Sequence, residues 1–244
     1  MSKITSNEIT QTFLDGWIPV SGSWAYASAD APTFTITVPS GAASLYSPGM
    51  RIRLTQTTVK YFIVTAVADT VLTVYGGTDY TLVNAAISAI SYSTQKAPLG
   101  FPLNPTKWTV EVTDVTARSQ ATPTANVWYN LGSITISLPI GLWDVGYSVC
   151  IASDITSGTV VNSRATLSTA NNSESDVDLT GRVTFGGATG ALVIGVTIVR
   201  EKILAIAAKT SYYLNTSTSV ASMANIYNTN STSKLIIRAV CAYL

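Results

Sequence analysis

The chain has 244 residues, a net charge of +1 and no histidine, and only 11% of its residues are charged. Soluble domains are usually about 25% charged, so most of this surface must be polar through hydroxyl and amide groups. The near-zero net charge argues against non-specific binding to nucleic acid. Without histidine, the chain has no His-dependent catalytic triad and no histidine-ligated metal site.

The cysteines and the N-terminus predict a protein of the reducing cytoplasm. Cys150 and Cys241 lack the spacing of a zinc or redox motif, and we expect buried free thiols rather than a disulfide. The first ten residues, MSKITSNEIT, are polar and hold no signal-peptide core, which predicts a protein that stays in the cytoplasm where it is made. The longest apolar stretch, residues 190–199, is about half a membrane span, so we expect no membrane insertion. Nothing in the sequence calls for a cofactor.

The composition predicts an all-β fold, because Thr, Val, Ile and Tyr are abundant and helix formers such as Glu and Lys are scarce. Residues 1–16 stand apart, either as an N-terminal anchor segment or as an ordinary frayed terminus. Thr5 and Glu8 have capping-box spacing, which predicts a short helix from Ser6 to Leu14. Residues 17–95 alternate apolar and hydroxyl positions between turns and predict a small β-barrel or sandwich. The predicted strands of this part are Thr33–Val38, Met50–Thr57, Val59–Val67, Thr70–Tyr75 and Ile87–Tyr92.

Residues 96–106 hold three prolines and a glycine, which predicts a linker and a domain boundary. From residue 107 to residue 244 the strand patterns recur at the spacing of a β-sandwich, with no βαβ alternation and no phosphate-binding glycine motif. The predicted strands are Trp108–Val112, Asn126–Leu131, Ser133–Leu138, Leu142–Ala152, Ser163–Ser168, Arg182–Phe185, Ala191–Val199, Ile203–Ala208, Ser211–Asn215, Ala224–Tyr227 and Lys234–Leu244.

Three of these segments, residues 192–199, 203–208 and 234–244, are apolar on both faces. A sandwich strand with one solvent-exposed face should alternate apolar and polar side chains. We therefore expect the second apolar face of these strands to be covered by sister subunits of a homotrimer. The alternative is that they are central strands with some exposed Ala and Val. The expected trimer-interface residues are Leu192, Ile194, Val196, Ile198, Ile203, Ile206, Ile236, Val240 and Leu244.

Aromatic rings and amides near loops are candidates for binding a receptor, because rings stack on sugars and amides bond to hydroxyl groups. In a β-sandwich such aromatics more often serve core or interface packing than ligand binding. Glu174, Asp176 and Asp178 alternate and form a weak Ca²⁺ candidate; they also fit a solvated loop, or the acid and base of a glycosidase. The candidate receptor-binding residues are Trp128, Trp143, Asn171, Asn172, Tyr227 and Asn228.

The C-terminal part resembles a known fold family. Its order is a Pro-Gly turn entering a strand at residues 138–147, a long apolar strand at 192–199, the segment Lys209–Leu214 and a terminal strand at 235–244. This order is similar to tumour-necrosis-factor-like and complement-like jelly rolls, in which the chain ends inside a trimer core. The resemblance implies a trimeric jelly-roll head.

The N-terminal part holds an ordered series of distinctive segments: Gly16–Val20, Gly22–Tyr26, Pro39, Tyr46, Gly49–Leu54, Val59–Val64 and Leu72–Gly77. This series resembles a module at the front of bacteriophage tail and virion proteins. The resemblance implies a virion appendage with an inner domain that faces the particle and a trimeric outer head.

These observations favour a non-enzymatic phage virion structural protein. We expect a trimeric tail fibre or receptor-binding protein, assembled in the host cytoplasm, whose residues 1–95 contact tail, baseplate or capsid proteins. Its jelly roll of residues 107–244 would meet a cell-surface glycan of the host. A capsid decoration or head-fibre protein is the alternative. A glycan-degrading enzyme is disfavoured, because histidine is absent and carboxylates are sparse.

Overall fold

The computed structural model describes residues 14–132, 134–155, 160–185, 192–220, 223–228 and 234–244. Within these ranges the chain folds into antiparallel β-sheets, which confirms the predicted all-β class. The helix predicted from Ser6 to Leu14 lies outside the described residues, apart from its last position. No helix in the described ranges is long and apolar enough to cross a membrane.

The first seven strands form one antiparallel sheet in the order β1-β7-β4-β5-β6-β3-β2, with a one-turn helix, α1, after β3. Both ends of this order are edges, so the predicted barrel alternative is wrong and the sheet is open. Its elements are β1 (Ile18–Pro19), β2 (Ala25–Asp30), β3 (Thr33–Thr37), α1 (Ala42–Leu45), β4 (Arg51–Gln56), β5 (Thr58–Ala68), β6 (Val71–Tyr75) and β7 (Ser88–Ser93).

Alternation along these strands gives the sheet two different apolar faces. Ile52, Phe62 and Leu72 are fully buried in a core that belongs to this sheet alone. Ile63 and Tyr75 belong instead to the core of the C-terminal part. The N-terminal sheet therefore packs on both faces.

The remaining strands form two facing sheets. If β8/β9, β10/β11 and β17/β18 each count as one interrupted strand, the eight strands pair in the orders 1-8-3-6 and 2-7-4-5. This is the connectivity of a jelly roll, as expected from the sequence. The strands are β8 (Thr109–Asp114), β9 (Arg118–Ala121), β10 (Trp128–Tyr129), β11 (Thr135–Leu138), β12 (Gly141–Ile155), β13 (Val161–Ser168), β14 (Thr180–Phe185), β15 (Leu192–Ile206), β16 (Thr210–Thr218), β17 (Met223–Asn228) and β18 (Leu235–Cys241).

The segment 96–106 packs between the two parts. Phe101 is 5% exposed and stacks on Trp108, with ring centroids 5.1 Å apart and planes at 5°. The indole N–H of Trp17 donates to the carbonyl of Leu99 at 2.8 Å. Across the junction, the ring of Tyr75 meets the ring of Trp143 edge-on at 5.0 Å. The N-terminal sheet and the jelly roll thus share one aromatic core.

A buried guanidinium also joins the two parts. Arg51 is 0% exposed, and it donates to the carbonyls of Gly49 at 2.6 Å, Lys96 at 3.1 Å and Tyr243 at 2.9 Å. Its carbon Cζ lies 4.8 Å from the centre of the Phe101 ring. These contacts connect β4, the segment 96–106 and the end of the described chain.

Candidate functional site

One sheet of the jelly roll has an uncovered side, which we call the outer face. It consists of outward positions on β15, β12, β18 and β8, because residues directly opposite in register point to the same side. Val199 is 64% exposed and Ile203 is 62% exposed on β15, while Ile236 and Val240 on β18 are half-buried. Four apolar side chains thus reach solvent on one sheet.

A row of charges runs between these apolar positions. Glu201, Gly146, Arg238 and Glu111 are successive partners across β15, β12, β18 and β8. Gly146 has no side chain, and a concavity of about 240 Å³ lies on the outer face at this row. Asp144 lies two residues from Gly146 on β12 and is exposed. The outer face therefore presents both signs of charge between apolar rows.

The residues expected at a trimer interface divide between the two sides of this sheet. Ile198 and Ile206 are 6% and 7% exposed because they point into the chain's own core, whereas Ile203 points outward. The split arises because residues 192–206 form one strand, so even and odd positions face opposite ways. Val196 and Leu244 are half-buried and pack against the same core. The side chains of Leu192 and Ile194 lie outside the described ones.

The other sheet carries a polar surface that we call the arginine face. Its central row is Trp128, Ser217, Arg164 and Arg182, one residue each from β10, β16, β13 and β14, all directly opposite in register. Directly opposite residues have Cβ atoms about 4.5–5.5 Å apart and share a face. Asn162 and Thr184 form the next pair along β13 and β14 on this face, and Asn126, in the loop before β10, lies beside Arg164.

Amide oxygens and an indole ring hold the two guanidinium groups. Arg164 donates to Asn126 Oδ1 at 3.0 Å and to Ser217 Oγ at 2.9 Å, and its Cζ lies 5.2 Å from the centre of the Trp128 ring. Arg182 donates through two nitrogens to Asn162 Oδ1, at 3.0 and 2.7 Å. Both arginines are thereby fixed in position without a carboxylate.

The candidate receptor-binding residues do not form a single site. Trp143 is 0% exposed, and its indole N–H donates to the carbonyl of Pro139. Asn228 is 3% exposed, and Tyr227 lies on the same sheet as the outer face. Asn171 and Asn172 are exposed in the loop after β13, and Trp128 alone lies on the arginine face.

Sequence reasoning missed the two arginines of the arginine face. They are 18 residues apart, and no periodic pattern across the intervening loop reveals that β13 and β14 bring them side by side. The only sequence signal was Trp128, which the prediction did select.

The carboxylates proposed as a weak calcium site have other partners. Asp176 and Asp178 both accept from the ammonium of Lys202, at 2.7 and 2.8 Å, and Glu174 accepts from the hydroxyl of Thr180. The bond to Lys202 holds the pKa of Asp176 below its ordinary value. Among the residues that the structure describes, no group of three or more carboxylate or thiol side chains is arranged to hold a metal ion.

A groove of about 650 Å³ lies on the N-terminal sheet beside β1, β4, β5 and β7. Trp24, Arg53 and Tyr61 contribute to its lining. The Arg53 guanidinium lies 4.8 Å from the centre of the Trp17 ring. The buried indole nitrogen of Trp24 has no hydrogen-bond partner among the described residues. The groove is a concave surface with an aromatic and basic lining on the N-terminal sheet.

Comparisons with known proteins yield no family. No protein-family model and no curated protein sequence matches the chain. A subviral particle of infectious bursal disease virus VP2 aligns with 89% of this chain at 13% identity and a TM-score of 0.30, and the chain spans 61% of its length. T=1 particles derived from the same virus align at 12% identity and a TM-score of 0.31, over 96% of this chain and 78% of theirs. A Cry1Da tryptic core variant from Bacillus thuringiensis aligns at 8% identity and 0.23, over 93% of this chain and 51% of its own. Scores of this size support no statement about function.

Proposed function

We propose that the chain is a non-enzymatic structural protein of a phage virion, a homotrimeric fibre or receptor-binding protein. In this proposal residues 1–95 attach to other virion proteins, and the jelly roll faces the host surface. The proposal draws on the resemblance of both parts to virion and jelly-roll proteins and on the geometry of the outer face. Assembly takes place in the host cytoplasm, and the protein resides in the virion.

The observation that carries the proposal is the exposure of apolar side chains on the outer face. Fully burying an Ile or Val contributes roughly 1.5–3 kcal/mol, and Val199 and Ile203 are each more than 60% exposed in a single chain. Because β15 pairs only with β12 among the described strands, its other edge is open as well. Sister copies that cover this edge and face bury both features.

The charge row is compatible with such an interface. Arg238 lies in register between Gly146 and Glu111, and Glu201 follows on the far side of Gly146. No ion pair involves these side chains within the described chain. In a cyclic trimer a different surface of the sister copy meets this face, and the mixture of charges avoids the like-charge repulsion that a face of one sign would cause.

The oligomeric state tests the proposal. We expect sedimentation equilibrium at micromolar concentration to give three times the 25.7 kDa chain mass, and Ile203→Glu to give the single-chain mass. Val83→Glu is the matched control, since Val83 is 55% exposed on the N-terminal part and should leave the trimer intact. A wild-type chain that sediments only as a monomer would refute the assembly.

Location in the particle separates the two virion roles. Antibodies against the jelly roll should label tail tips if the chain is a receptor-binding protein, whereas labelling over the capsid would assign it to the alternative, a decoration or head-fibre protein. Release of new reducing ends from host envelope polysaccharide by the purified protein would contradict the non-enzymatic role.

A further inference from the structure

We propose that the arginine face binds an anionic glycan, with Arg164 and Arg182 together holding its carboxylate or phosphate group. The inference rests on the proposed role at the host surface, and it assigns both the site and the chemistry of the ligand.

No carboxylate of the described chain balances the charge of the arginine pair. Arg164 and Arg182 are directly opposite on β13 and β14, and like charges in this arrangement destabilise a sheet. Neither forms an ion pair within the described residues. The internal segments outside those residues contain no Asp or Glu, so they supply no carboxylate either. The pair is an uncompensated positive site in a chain with 14 basic residues.

The geometry leaves donors free for an oxyanion. Arg182 uses Nε and one terminal nitrogen for Asn162, and Arg164 uses one terminal nitrogen for Asn126 and Ser217. Within the described chain, the other terminal nitrogen of each arginine has no hydrogen-bond partner. The Nε of Arg164 has none either, but it is buried and out of reach of a ligand. Two adjacent guanidinium groups with free N–H groups suit carboxylate and phosphate oxygens.

The surrounding side chains favour a polyhydroxylated ligand over a nucleic acid or an acidic peptide. Amides and hydroxyls from β13, β14, β16 and the loop before β10 surround the arginines, and they both donate to and accept from sugar hydroxyl groups. Trp128 holds the Arg164 guanidinium through its ring face, so the positive charge is placed before a ligand arrives. Two arginines on a chain of net charge +1 provide no extended basic track for a nucleic acid backbone.

Calorimetric titration of the full chain with three probes tests the site. The probes are an oligogalacturonide, which carries carboxylates, a poly(glycerol phosphate) chain, which carries phosphates, and a neutral maltooligosaccharide. We expect binding of at least one anionic probe, weakened by added salt, and no binding of the neutral one. Whichever anionic probe binds identifies the acidic group.

Arg182→Gln is the decisive variant. It removes one guanidinium and its two bonds to Asn162 without taking away the Trp128 contact, and it relieves the like-charge pair, so the jelly roll should still fold. We expect it to bind the anionic probe about tenfold to hundredfold more weakly. Lys60→Gln makes the same charge change on the N-terminal sheet and should bind like the wild type.

Several results would overturn the assignment: no binding of either anionic probe, equal binding by Arg182→Gln, or Arg182-dependent binding of poly-glutamate or single-stranded DNA in place of a glycan. Sedimentation of the same samples separates the two proposals. If the wild type is a trimer but binds neither anionic probe, only the proposed glycan site is refuted. If it is a monomer and shows Arg182-dependent glycan binding, only the proposed trimer is refuted.

Discussion

Replacing Arg51 with methionine tests whether the two parts of the chain fold as one unit. The substitution removes three hydrogen bonds from a charged donor to the carbonyls of Gly49, Lys96 and Tyr243. Bonds of this kind contribute about 1.5–3 kcal/mol each, or roughly 4.5–9 kcal/mol together. Against this, burial lowers the pKa of Arg51, which reflects the several kcal/mol that desolvating a charge costs. Methionine keeps the apolar contact with Phe101 and avoids that cost, so we expect a net loss of about 2–4 kcal/mol.

Guanidinium denaturation followed by tryptophan fluorescence measures this loss, at one fixed protein concentration because assembly shifts the midpoint. Both proteins should unfold in a single transition, since Tyr75, Trp108 and Trp143 belong to a shared core. Arg53→Met is the matched control on the same strand, where the lost bond to Ser91 is long, at 3.4 Å, and the side chain is half-buried. If Arg51→Met costs no more than Arg53→Met, the guanidinium does not join the two parts.

Two further substitutions test contacts within the jelly roll. In Lys202→Met, Asp176 loses the partner that lowers its pKa in the folded state. In the wild type this partner adds stability above the ordinary aspartate pKa of about 3.9, and that stability is lost as the pH falls through the lowered pKa. Because the variant lacks this stability, we expect it to unfold at a higher pH in an acid titration. Equal acid midpoints would contradict the role of Lys202. Tyr147→Phe removes a buried hydroxyl that lies 2.8 Å from the carbonyl of Ala165 and 2.9 Å from that of Leu179, and we expect a loss of about 1–3 kcal/mol at neutral pH with an unchanged denaturant slope. An unchanged midpoint would show that the two carbonyls find other donors.

Local patterns predicted those parts of the fold in which neighbours in sequence are neighbours in space. Strands β3 to β6 follow directly from alternation and from turns such as the one at Gly76 and Gly77. At Gly77 φ is +64°, and a Cβ would lie 2.2 Å from the carbonyl oxygen of Lys107, so no other residue fits there without a shift. Strands β1, β2 and β9 were missed because they are short or mostly polar.

The sequence was less informative about which face of a sheet each side chain occupies, because that depends on strand register. Charges at residues 200–202 suggested a strand end, yet β15 continues through them because an edge strand tolerates charged positions. The continuous register reversed the side on which Ile198 lies relative to Ile203. Trp143 looked like a ligand contact but faces inward on β12, where it meets Tyr75 from a different sheet. Contacts between sheets have no local sequence signal.

The two surfaces lie on opposite sheets of the same sandwich, and this arrangement makes the two proposals compatible. The outer face belongs to the sheet of β15, β12, β18 and β8, and the arginine face belongs to the sheet of β10, β16, β13 and β14. Subunits that meet through the outer face therefore leave three arginine faces open on the surface of the trimer. A weak single contact with a repeating anionic glycan then becomes strong through the effective concentration of the second and third sites. Ile203→Glu should accordingly weaken binding to a polymeric probe far more than binding to a short oligosaccharide, whereas Arg182→Gln should weaken both.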